Sequence, residues 1–553
     1  MRVAAEHDGI RVKAYAGTTG VLLGLDVDDR HRDGLLGFAI RRRAGRRAPE
    51  WLDGMLPFPG TPHKPGELLP TNVAPVQRFR WQDYRVYPDT SYEYEIHAVS
   101  GDYRKPTLTE GPTVKVRTSP VKKGDHVVIF NRAAAASQAF SRKFPQVQAQ
   151  IDAALKAKQP VPPLPRDVRE WLSRGVLEQI VGFLERAKDE RWALDIAIYE
   201  YELDTIVKAV EAARRRGVKV RVVYHAKPGD SQTALNERNL ARLPKACKRG
   251  RVTTKICHHK FVVLSKLVRG HRVPQAVLAG STNFTENGVF RQANVVHVVN
   301  EPEVAQKYEA LFEVLFRGDD PSQTRVYVDE HDPIDGDAHL FVGFSPRRGG
   351  ADLKAFVQSV EAARQDVLFC TAFAIYPPLL EALRGAPHDH ILRLGLQNSR
   401  SKITGLHRDR TAEFVAAAML NRGLDGFLRE TTAGQKGNIL IHTKLIVVDF
   451  TSEAPTVISG SHNLSQSASQ GNDENFLVIR GNTDVADCYG VELMRLYEHY
   501  RFRWVAQHPS TRTGASPNGK PAGLRTDDGW TEPYFRDGSL EQRDRLAFSG
   551  APA

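Results

Sequence analysis

The sequence NILIHTKLIVVDF, residues 438–450, followed by TVISGSHNLSQSASQGNDENFLVI, residues 456–479, decides the fold of this chain. Its two apolar runs are rich in Ile, Leu and Val and predict buried strands. His442 and Lys444 interrupt the first run, and residues two apart on a strand point to the same face. Burying an unpaired ammonium costs several kcal/mol. Taken alone, this pair is either a hydrogen-bonded core histidine beside a lysine whose charge reaches solvent or, if it points into a cleft, a site for a phosphate.

A second copy of the pattern lies upstream, in CHHKFVVL (residues 257–264) and GSTNF (residues 280–284). Each copy follows an apolar strand candidate, one ending at Tyr199 and one at Tyr376, and each of those follows a helix-periodic segment, Val176 to Ala187 or Leu353 to Ala363. The matched polar positions are His258 with His442, Lys260 with Lys444, Asn283 with Asn463, and Asn294 with Asn475. The sequence therefore predicts an internal duplication of about 180 residues.

Two copies of His-x-Lys followed by Gly-Ser-x-Asn resemble the phospholipase D superfamily over residues 166–504. The resemblance implies an α/β catalytic core of two duplicated halves related by a pseudo-twofold axis, with one composite site between them. It further implies phosphodiester chemistry through a covalent phosphohistidine, released by water or an alcohol, without a metal or another cofactor. The superfamily includes lipases, transferases and nucleases, so the resemblance implies a chemistry more firmly than a substrate.

Breaking a phosphodiester without a metal needs a nucleophile, a proton for the leaving oxygen and positive charge around the phosphoryl oxygens. Two histidines can share the first two tasks, and lysines and asparagines supply the third. The expected catalytic residues are His258, Lys260, Asn283, His442, Lys444, Asn463 and Glu474, and the expected supporting residues are Ser281, Ser461, Asp449 and Gln292. The family pattern has an Asp five residues after the Lys, which is Asp449 in the second copy and Ser265 in the first.

The acidic residue after Gly-Ser-x-Asn also differs between the copies. It is Glu474 in the second copy, whereas the first copy offers Gln292. A carboxylate on the second ring nitrogen fixes the tautomer of a nucleophilic histidine and raises its basicity. We therefore expect Glu474 to orient His258 as nucleophile, and Gln292 to hold His442 as general acid and then base. Pairing within each half would reverse these roles.

Outside the two halves, the chain divides by composition into three further regions. Residues 1–118 alternate with period two from Tyr92 to Val99 and resemble an all-β fibronectin type III sandwich, with Tyr92 as its tyrosine corner. Residues 119–165 are predicted to be a helical, Pro-rich connector, residues 166–320 and 321–505 the two halves, and residues 506–553 an extension over the core with little structure of its own. The segment from Trp51 to Phe58 is either a membrane-touching loop or a turn packed on the sandwich.

Bulk composition excludes several classes of protein. The chain has 553 residues, a formal net charge of +12 and four scattered cysteines without a Cys-x-x-Cys pair. Scattered cysteines argue against a disulfide framework and fit a reducing cytoplasm. No apolar run reaches the length of a membrane span. Cys257 with His258 and His259 suggests a metal site, but no second ligand cluster supports it, so none is expected. The oligomeric state stays open.

Charge placement bears on the substrate. Between Asp204 and Lys255 the chain has 14 Lys or Arg and 4 acids, directly before the first His-x-Lys. This run favours a polyanionic substrate, so a nuclease is the leading expectation. The expected substrate-binding residues are Arg249, Arg251 and Lys255. The alternatives are a phospholipase D acting on glycerophospholipids, which would need the Trp51–Phe58 loop at a bilayer, and an inactive phosphate-binding scaffold.

Overall fold

The computed structural model describes residues 1–54, 56–64, 67–132, 137–318, 320–386, 389–398, 407–408, 412–416, 441–507 and 523–552. Residues 438–440 of the first predicted strand, residues 133–136 of a predicted connector helix, and Met55 lie outside this range.

The N-terminal region is a pair of antiparallel sheets packed face to face. The first has the strand order β1-β2-β3-β8 and the second β10-β9-β4-β5. Its elements are β1 (Arg2–His7), β2 (Ile10–Ala16), β3 (Val21–Val27), α1 (Asp29–Arg32), β4 (Leu35–Ala44), β5 (Glu50–Trp51), β6 (Asp53–Gly54), β7 (Leu69–Pro70), β8 (Arg80–Asp83), β9 (Ser91–Ser100) and β10 (Thr107–Arg117). The period-two alternation of β9 buries Tyr92, Tyr94 and Ile96 between the sheets.

The next sheet has the strand order β11-β12-β19-β18-β17-β13-β14-β15. Its strands are β11 (Lys122–Lys123), β12 (His126–Phe130), β13 (Trp192–Ile198), β14 (Lys219–His225), β15 (Lys248–Arg251), β17 (Lys260–Val268), β18 (His271–Gly280) and β19 (Val295–Val299). The helices around it are α2 (Ser137–Lys143), α3 (Pro145–Lys156), α4 (Arg166–Ser173), α5 (Val176–Glu185), α6 (Asp204–Arg215), α7 (Ser231–Asn239) and α8 (Pro302–Arg317). A π-helical turn, Asn287–Arg291, precedes β19.

The prediction that residues 119–165 form only a connector is wrong for its first part. Strand β12 pairs with β19 along its whole length, from His126 opposite Val299 to Phe130 opposite Val295. Val127, Val128 and Phe130 are buried, because an apolar strand at the sheet edge gains more from pairing than from exposure.

The last sheet has the order β16-β27-β26-β25-β21-β22-β24-β23, and β20 pairs with β27. Its strands are β16 (Ile256–Cys257), β20 (Leu340–Ser345), β21 (Asp366–Thr371), β22 (Leu392–Gln397), β23 (His407–Arg408), β24 (Ala412–Ala416), β25 (Leu445–Val448), β26 (Thr456–Gly460) and β27 (Asn472–Arg480). The helices here are α9 (Pro321–His331), α10 (Ala351–Glu361), α11 (Pro377–Arg384), α12 (Gln466–Gln470) and α13 (Thr483–Gln507). The run β20-β27-β26-β25-β21-β22-β24 matches β12-β19-β18-β17-β13-β14-β15 of the preceding sheet position by position.

Residues 523–552 pack on the N-terminal sandwich, whereas the sequence predicted an extension over the core with little structure; residues 508–522 of that extension lie outside the described range. Helices α14 (Glu532–Phe535) and α15 (Leu540–Ser549) lie there, with α15 against β3. Trp530 stacks on Phe79 at 5.3 Å between ring centroids and donates its indole N–H to the Leu35 carbonyl at 2.8 Å. Burial of these aromatic rings orders a segment whose composition is otherwise typical of a turn-rich tail.

The segment from Trp51 to Phe58 contributes to the same region. Leu52 and Phe58 are buried, and Phe58 packs in a small cluster with Leu524. These apolar side chains therefore pack in the interior of the sandwich region and are not exposed to solvent. In the described part of the chain, no helix combines the length and the apolar character that crossing a membrane requires.

Candidate active site

The two His-x-Lys pairs meet where the two large sheets join. The imidazole centroids of His258 and His442 are 6.3 Å apart, and the ring planes are inclined by 70°. Each histidine follows a short pairing with the opposite sheet: the backbone N–H of His258 donates to the Asp473 carbonyl at 2.9 Å, and that of His442 to the Ala293 carbonyl at 3.0 Å. The chain therefore crosses between sheets immediately before each histidine, which brings residues 184 positions apart into one cleft.

His258 is held by a carboxylate of the opposite sheet. Its Nδ1–H donates to Glu474 Oε2 at 2.7 Å, and both side chains are buried. Ser461 Oγ donates to the same oxygen at 2.8 Å, and Asn472 Nδ2 donates to the other at 3.1 Å. Burial raises the pKa of Glu474, whereas burial and the nearby ammonium of Lys260 lower the pKa of His258 well below its ordinary value. The Nδ1–H tautomer leaves the lone pair on Nε2, on the side of the ring away from Glu474.

His442 is held by neutral acceptors instead. Its Nδ1 lies 3.0 Å from Asn294 Oδ1 and 3.1 Å from the Ser281 carbonyl oxygen, so Nδ1 is the donor here too. Burial, followed by the charge of Lys444, lowers the pKa of His442 well below its ordinary value. Both rings thus carry Nδ1–H toward the opposite half and present Nε2 to the space between them, but only one has a carboxylate behind it.

The residue beside His442 is Asn294, not Gln292 as the sequence suggested. Ser281 Oγ donates to Asn294 Oδ1 at 2.9 Å, as Ser461 Oγ does to Glu474. Asn294 follows Asn283 by the same eleven positions by which Glu474 follows Asn463. Within the described residues, Gln292 takes part in hydrogen bonds only through its backbone. Its carbonyl oxygen accepts from Asn131 Nδ2 at 2.7 Å. The spacing of 180 residues, applied to Glu474, would have found Asn294.

The two lysines lie beside the histidines and are almost fully buried, each with 1% of its surface exposed. Lys260 Nζ donates to the His258 carbonyl at 2.8 Å, and Lys444 Nζ to the His442 carbonyl at 2.6 Å. Burial lowers the pKa of Lys260 to about 8. The pKa of Lys444 falls well below its ordinary value through burial and the charge of Lys260. Two buried ammonium groups that repel each other make a site for an anion.

The two asparagines have different surroundings. Asn283 Nδ2 donates to Glu200 Oε2 at 2.6 Å. Within the described residues, the Oδ1 atoms of Asn283 and Asn463 are buried without a hydrogen-bond partner. Gln232 Nε2 donates to the other Glu200 oxygen at 3.2 Å. Sequence analysis missed Glu200, although it directly follows a recognised strand end at Tyr199.

An aromatic ring stands beside each His-Lys pair. The Tyr199 ring lies 5.2 Å from the His258 ring and 5.3 Å from Lys260 Nζ. Phe373 takes the matching place in the second half, 6.4 Å from the His442 ring and 5.8 Å from Lys444 Nζ. The sequence had matched Tyr199 to Tyr376, three residues later. Phe373 is 36% exposed, a large fraction for an aromatic ring in a cleft.

Asp449 lies away from this cleft. It follows β25, whose first residue is next to Lys444, so it sits at the opposite end of that strand. Its Oδ1 accepts backbone N–H groups of Arg364 at 2.8 Å and Gln365 at 2.7 Å. Its φ of +54° places it in the turn after β25, and from there its side chain binds the backbone just before β21. The expectation that Asp449 supports the site is therefore wrong.

The expected substrate-binding arginines are also engaged elsewhere. Arg251 is fully buried, and its guanidinium binds both Asp473 carboxylate oxygens, at 3.0 and 3.2 Å. Arg249 donates to the Phe316 carbonyl at 3.0 Å. Arg249 and Lys255 are exposed, so these two of the three stay accessible to a ligand.

The densest part of the basic run lies at the edge of the sheet opposite the histidines. Strands β13 and β14 are parallel, and Ile198 at the end of β13 pairs with Lys260, so the histidines lie at the carboxyl edge. Helix α6 starts at this edge and runs back to the start of β14. Its basic end, Arg214 to Arg216, therefore lies at the opposite edge, where it cannot contact a phosphate held between the histidines.

The residues that flank His258 point away from the cleft. Burial raises the pKa of the Cys257 thiol and lowers the pKa of His259 to about 3. His259 Nδ1 lies 3.3 Å from Asn475 Oδ1 in the interior. Strand alternation explains this division. Among the described residues, no group of three or more His, Cys, Asp or Glu side chains is arranged to hold a metal ion.

Comparison with known proteins adds a family-level finding. Residues 180–316 match the family model described as "Cardiolipin synthase, PLD-like domain". The chain is 24% identical over 143 residues to the mitochondrial cardiolipin hydrolase of Mus musculus, a match that spans 26% of this chain and 59% of that protein. The chain thus carries a phospholipase D-like domain that includes the first His-x-Lys copy.

Two solved structures are also similar. The phospholipase D family member Nuc from Salmonella typhimurium is 21% identical, with 25% of this chain and 86% of that chain covered and a TM-score of 0.21. Phosphatidylserine synthase from Haemophilus influenzae Rd KW20 is 12% identical, with 59% and 85% covered and a TM-score of 0.41.

Proposed function

We propose that this protein is a phosphodiesterase that hydrolyses its substrate without a metal, through a phosphohistidine on His258. The observation that carries the proposal is the pair of imidazoles 6.3 Å apart, each anchored at Nδ1 by the opposite half and each presenting Nε2 to the same space. A tetrahedral phosphoryl group between two such nitrogens is placed for in-line displacement.

In the first step, Nε2 of His258 attacks phosphorus, and the bond to the leaving oxygen breaks. The Nδ1–H bond to Glu474 stabilises the positive charge that forms on the phosphorylated ring. Lys260 and Lys444 lie against the phosphoryl oxygens, and the bound anion raises their pKa again, so both act as cations. His442, protonated under the same influence, gives its Nε2 proton to the leaving oxygen.

In the second step, neutral His442 takes a proton from water, and the resulting oxygen attacks phosphorus. The P–N bond breaks, the lone pair returns to His258, and the starting protonation state is restored. The difference between the anchors fits this division of roles. The carboxylate of Glu474 favours a positive ring at His258, whereas the amide of Asn294 leaves His442 free to alternate between neutral and charged forms.

The proposal extends to the architecture. The matching strand orders support two halves produced by duplication, with the first half starting near residue 122. The N-terminal strand order, and the hydrogen bond from the Tyr87 N–H to the Tyr92 hydroxyl at 2.8 Å, support a fibronectin type III-like sandwich with a tyrosine corner. The cytoplasmic location remains a proposal from the scattered cysteines.

Nucleic acid is the leading substrate. The exposed Phe373 ring stands beside His442, the group that protonates the leaving oxygen, so it adjoins the leaving alcohol. An exposed aromatic ring there is suited to stack on a nucleobase. Lys444, 5.8 Å from the same ring, disfavours a quaternary ammonium leaving group such as choline. The basic run lends less support than expected, because its densest part, Arg214 to Arg216, lies at the far edge of the sheet.

A phospholipid is the second candidate. The matched family model and the mouse relative are both named for cardiolipin, a phosphodiester lipid. The chain matches 59% of that relative's length. A lipid substrate would need access to a bilayer, and the burial of Leu52 and Phe58 removes the loop that suggested such access.

The test is a side-by-side assay in EDTA on single-stranded DNA, double-stranded DNA, RNA and cardiolipin vesicles. The variants are His258→Ala and His442→Ala, with His331→Ala as a matched control, since His331 is exposed on α9. Cleavage of nucleic acid that both site variants lose and the control keeps would support the proposal. Cleavage of vesicles alone would select the second candidate. Activity that survives both substitutions, or that EDTA abolishes, would contradict the mechanism.

A further inference from the structure

Asn131, in the loop after β12, lies opposite Asn294. Both the nitrogen and the oxygen of its side-chain amide form hydrogen bonds with the segment from Gly288 to Asn294. Asn131 is buried, and its Nδ2 donates to the carbonyls of Val289 at 2.8 Å, Gln292 at 2.7 Å and Gly288 at 3.2 Å. Its Oδ1 accepts the backbone N–H of Asn294 at 3.1 Å. These bonds close the π-helical turn that leads to Asn294, the anchor of His442.

Ser345 takes the matching place in the other sheet, at the end of β20 and in register with Glu474. It is fully buried, and its Oγ donates to the carbonyls of Ala468 at 2.8 Å and Asn472 at 3.1 Å. Asn472 in turn donates to Glu474, the anchor of His258.

Asn131 and Ser345 are therefore alike in their position in the sheet and in the hydrogen bonds that they form. Asn131 directly follows β12 and Ser345 ends β20, and these strands pair with β19 and β27, which start within two residues of the anchors Asn294 and Glu474. The side chain of each donates hydrogen bonds to backbone carbonyls of the segment that precedes the anchor. Neither belongs to the His-x-Lys or Gly-Ser-x-Asn motif, and within the described residues the hydrogen bonds of both side chains go to backbone groups and not to a histidine.

We propose that Asn131 and Ser345 are positioning residues with separate targets, Asn131 setting the orientation of His442 and Ser345 that of His258. This inference rests on the proposed phosphohistidine mechanism. His258 forms the covalent intermediate, and His442 activates the water that breaks it. When the leaving group needs no proton from His442, Asn131 and Ser345 therefore control different steps. Loss of Asn131 slows breakdown of the intermediate, whereas loss of Ser345 slows its formation.

A diester with a good leaving group separates the steps, because 4-nitrophenolate departs at neutral pH without needing a proton. The experiment is stopped-flow hydrolysis of bis(4-nitrophenyl) phosphate in EDTA by the full chain. For Asn131→Ala we expect a burst of one nitrophenolate per site, followed by turnover reduced by about 10²-fold, the usual effect of a misplacement near 1 Å. For Ser345→Ala we expect a slowed first turnover of similar size and no burst. A merely structural role would lower both phases together.

Thermal unfolding of each variant verifies the fold, and Asn131→Ser, which keeps one donor, should give a smaller burst if the Ala variant does not fold. Two variants with the same kinetic phases as each other, or with the phases exchanged, would overturn the inference while wild-type activity stands. Failure of the wild type to release nitrophenolate, or full activity of His258→Ala, would overturn the proposed mechanism itself and this inference with it.

Discussion

Replacing Glu474 by Gln removes one negative charge from the site and leaves the volume of the side chain almost unchanged. The carboxylate accepts from His258 and Ser461 at one oxygen and from Asn472 at the other. A Gln amide has an oxygen for only one of these sides. Asn472 determines which side receives the Gln oxygen, because within the described residues the Oδ1 atom of Asn472 is buried without a hydrogen-bond partner. If Asn472 turns its amide, that oxygen accepts from the Gln NH2, and the Gln oxygen stays against His258.

The expected magnitude follows from this geometry. The histidine keeps its tautomer but exchanges a charge-assisted hydrogen bond for a neutral one. Charged bonds contribute about 1.5–3 kcal/mol and neutral ones about 0.5–1.5 kcal/mol. The transition state that places positive charge on His258 therefore loses about 1–2 kcal/mol, which corresponds to about 5–30-fold in rate.

The assay is single-turnover nitrophenolate release from bis(4-nitrophenyl) phosphate in EDTA, with thermal unfolding as the control for the fold. A rate within about twofold of wild type would refute the role of the Glu474 charge. A fall of about 10⁴-fold would refute the reasoning about Asn472, since it is the size expected when an amide N–H faces the ring and imposes the wrong tautomer.

Four further predictions concern charge and stability. The pKa of Lys260 is lowered to about 8, and its cation is needed, so kcat/KM should fall as pH rises through about 8; a flat profile from pH 7 to 9.5 would contradict this. The unfolded chain holds that proton up to its ordinary pKa of 10.5, so this lysine should make the unfolding free energy rise between about pH 8 and 10.5, which urea titrations at several pH values measure. Asp449→Asn should keep diesterase activity within about threefold and lower the unfolding free energy by about 1 kcal/mol, because it weakens a turn remote from the cleft; a hundredfold loss of activity would return Asp449 to the site. Arg251→Met leaves the Asp473 carboxylate buried without its ion pair and should cost about 3–5 kcal/mol in urea unfolding, whereas an unchanged midpoint would show that the pair does not hold the two sheets together.

The sequence allowed the cleft to be predicted because its polar residues interrupt apolar strands twice in the same order. His258, Lys260 and their second-copy counterparts needed only strand periodicity and a self-comparison. Asn294 was misjudged through a register error of one residue, since it was matched to Asn475 instead of Glu474. On a strand, one residue exchanges the cleft face for the core face.

Other features depend on tertiary contacts that no local pattern carries. From the sequence alone, the basic end of α6 is predicted to lie near the site. The direction of the helix instead places this end at the far edge of the sheet. Arg251 looks like a ligand for phosphate until Asp473, more than 200 residues away, is seen beside it. Trp530 and its neighbours read as tail because the strands that bury them lie at the other end of the chain.

Identification of the covalent adduct tests the central claim most directly. The full chain carrying Asn131→Ala, with its slowed second step, is mixed with bis(4-nitrophenyl) phosphate in EDTA, quenched in alkali and digested for tandem mass spectrometry. We predict a nitrophenyl phosphoryl group on His258 and none on His442. An adduct on His442, or hydrolysis that proceeds with no adduct on either histidine, would contradict the account.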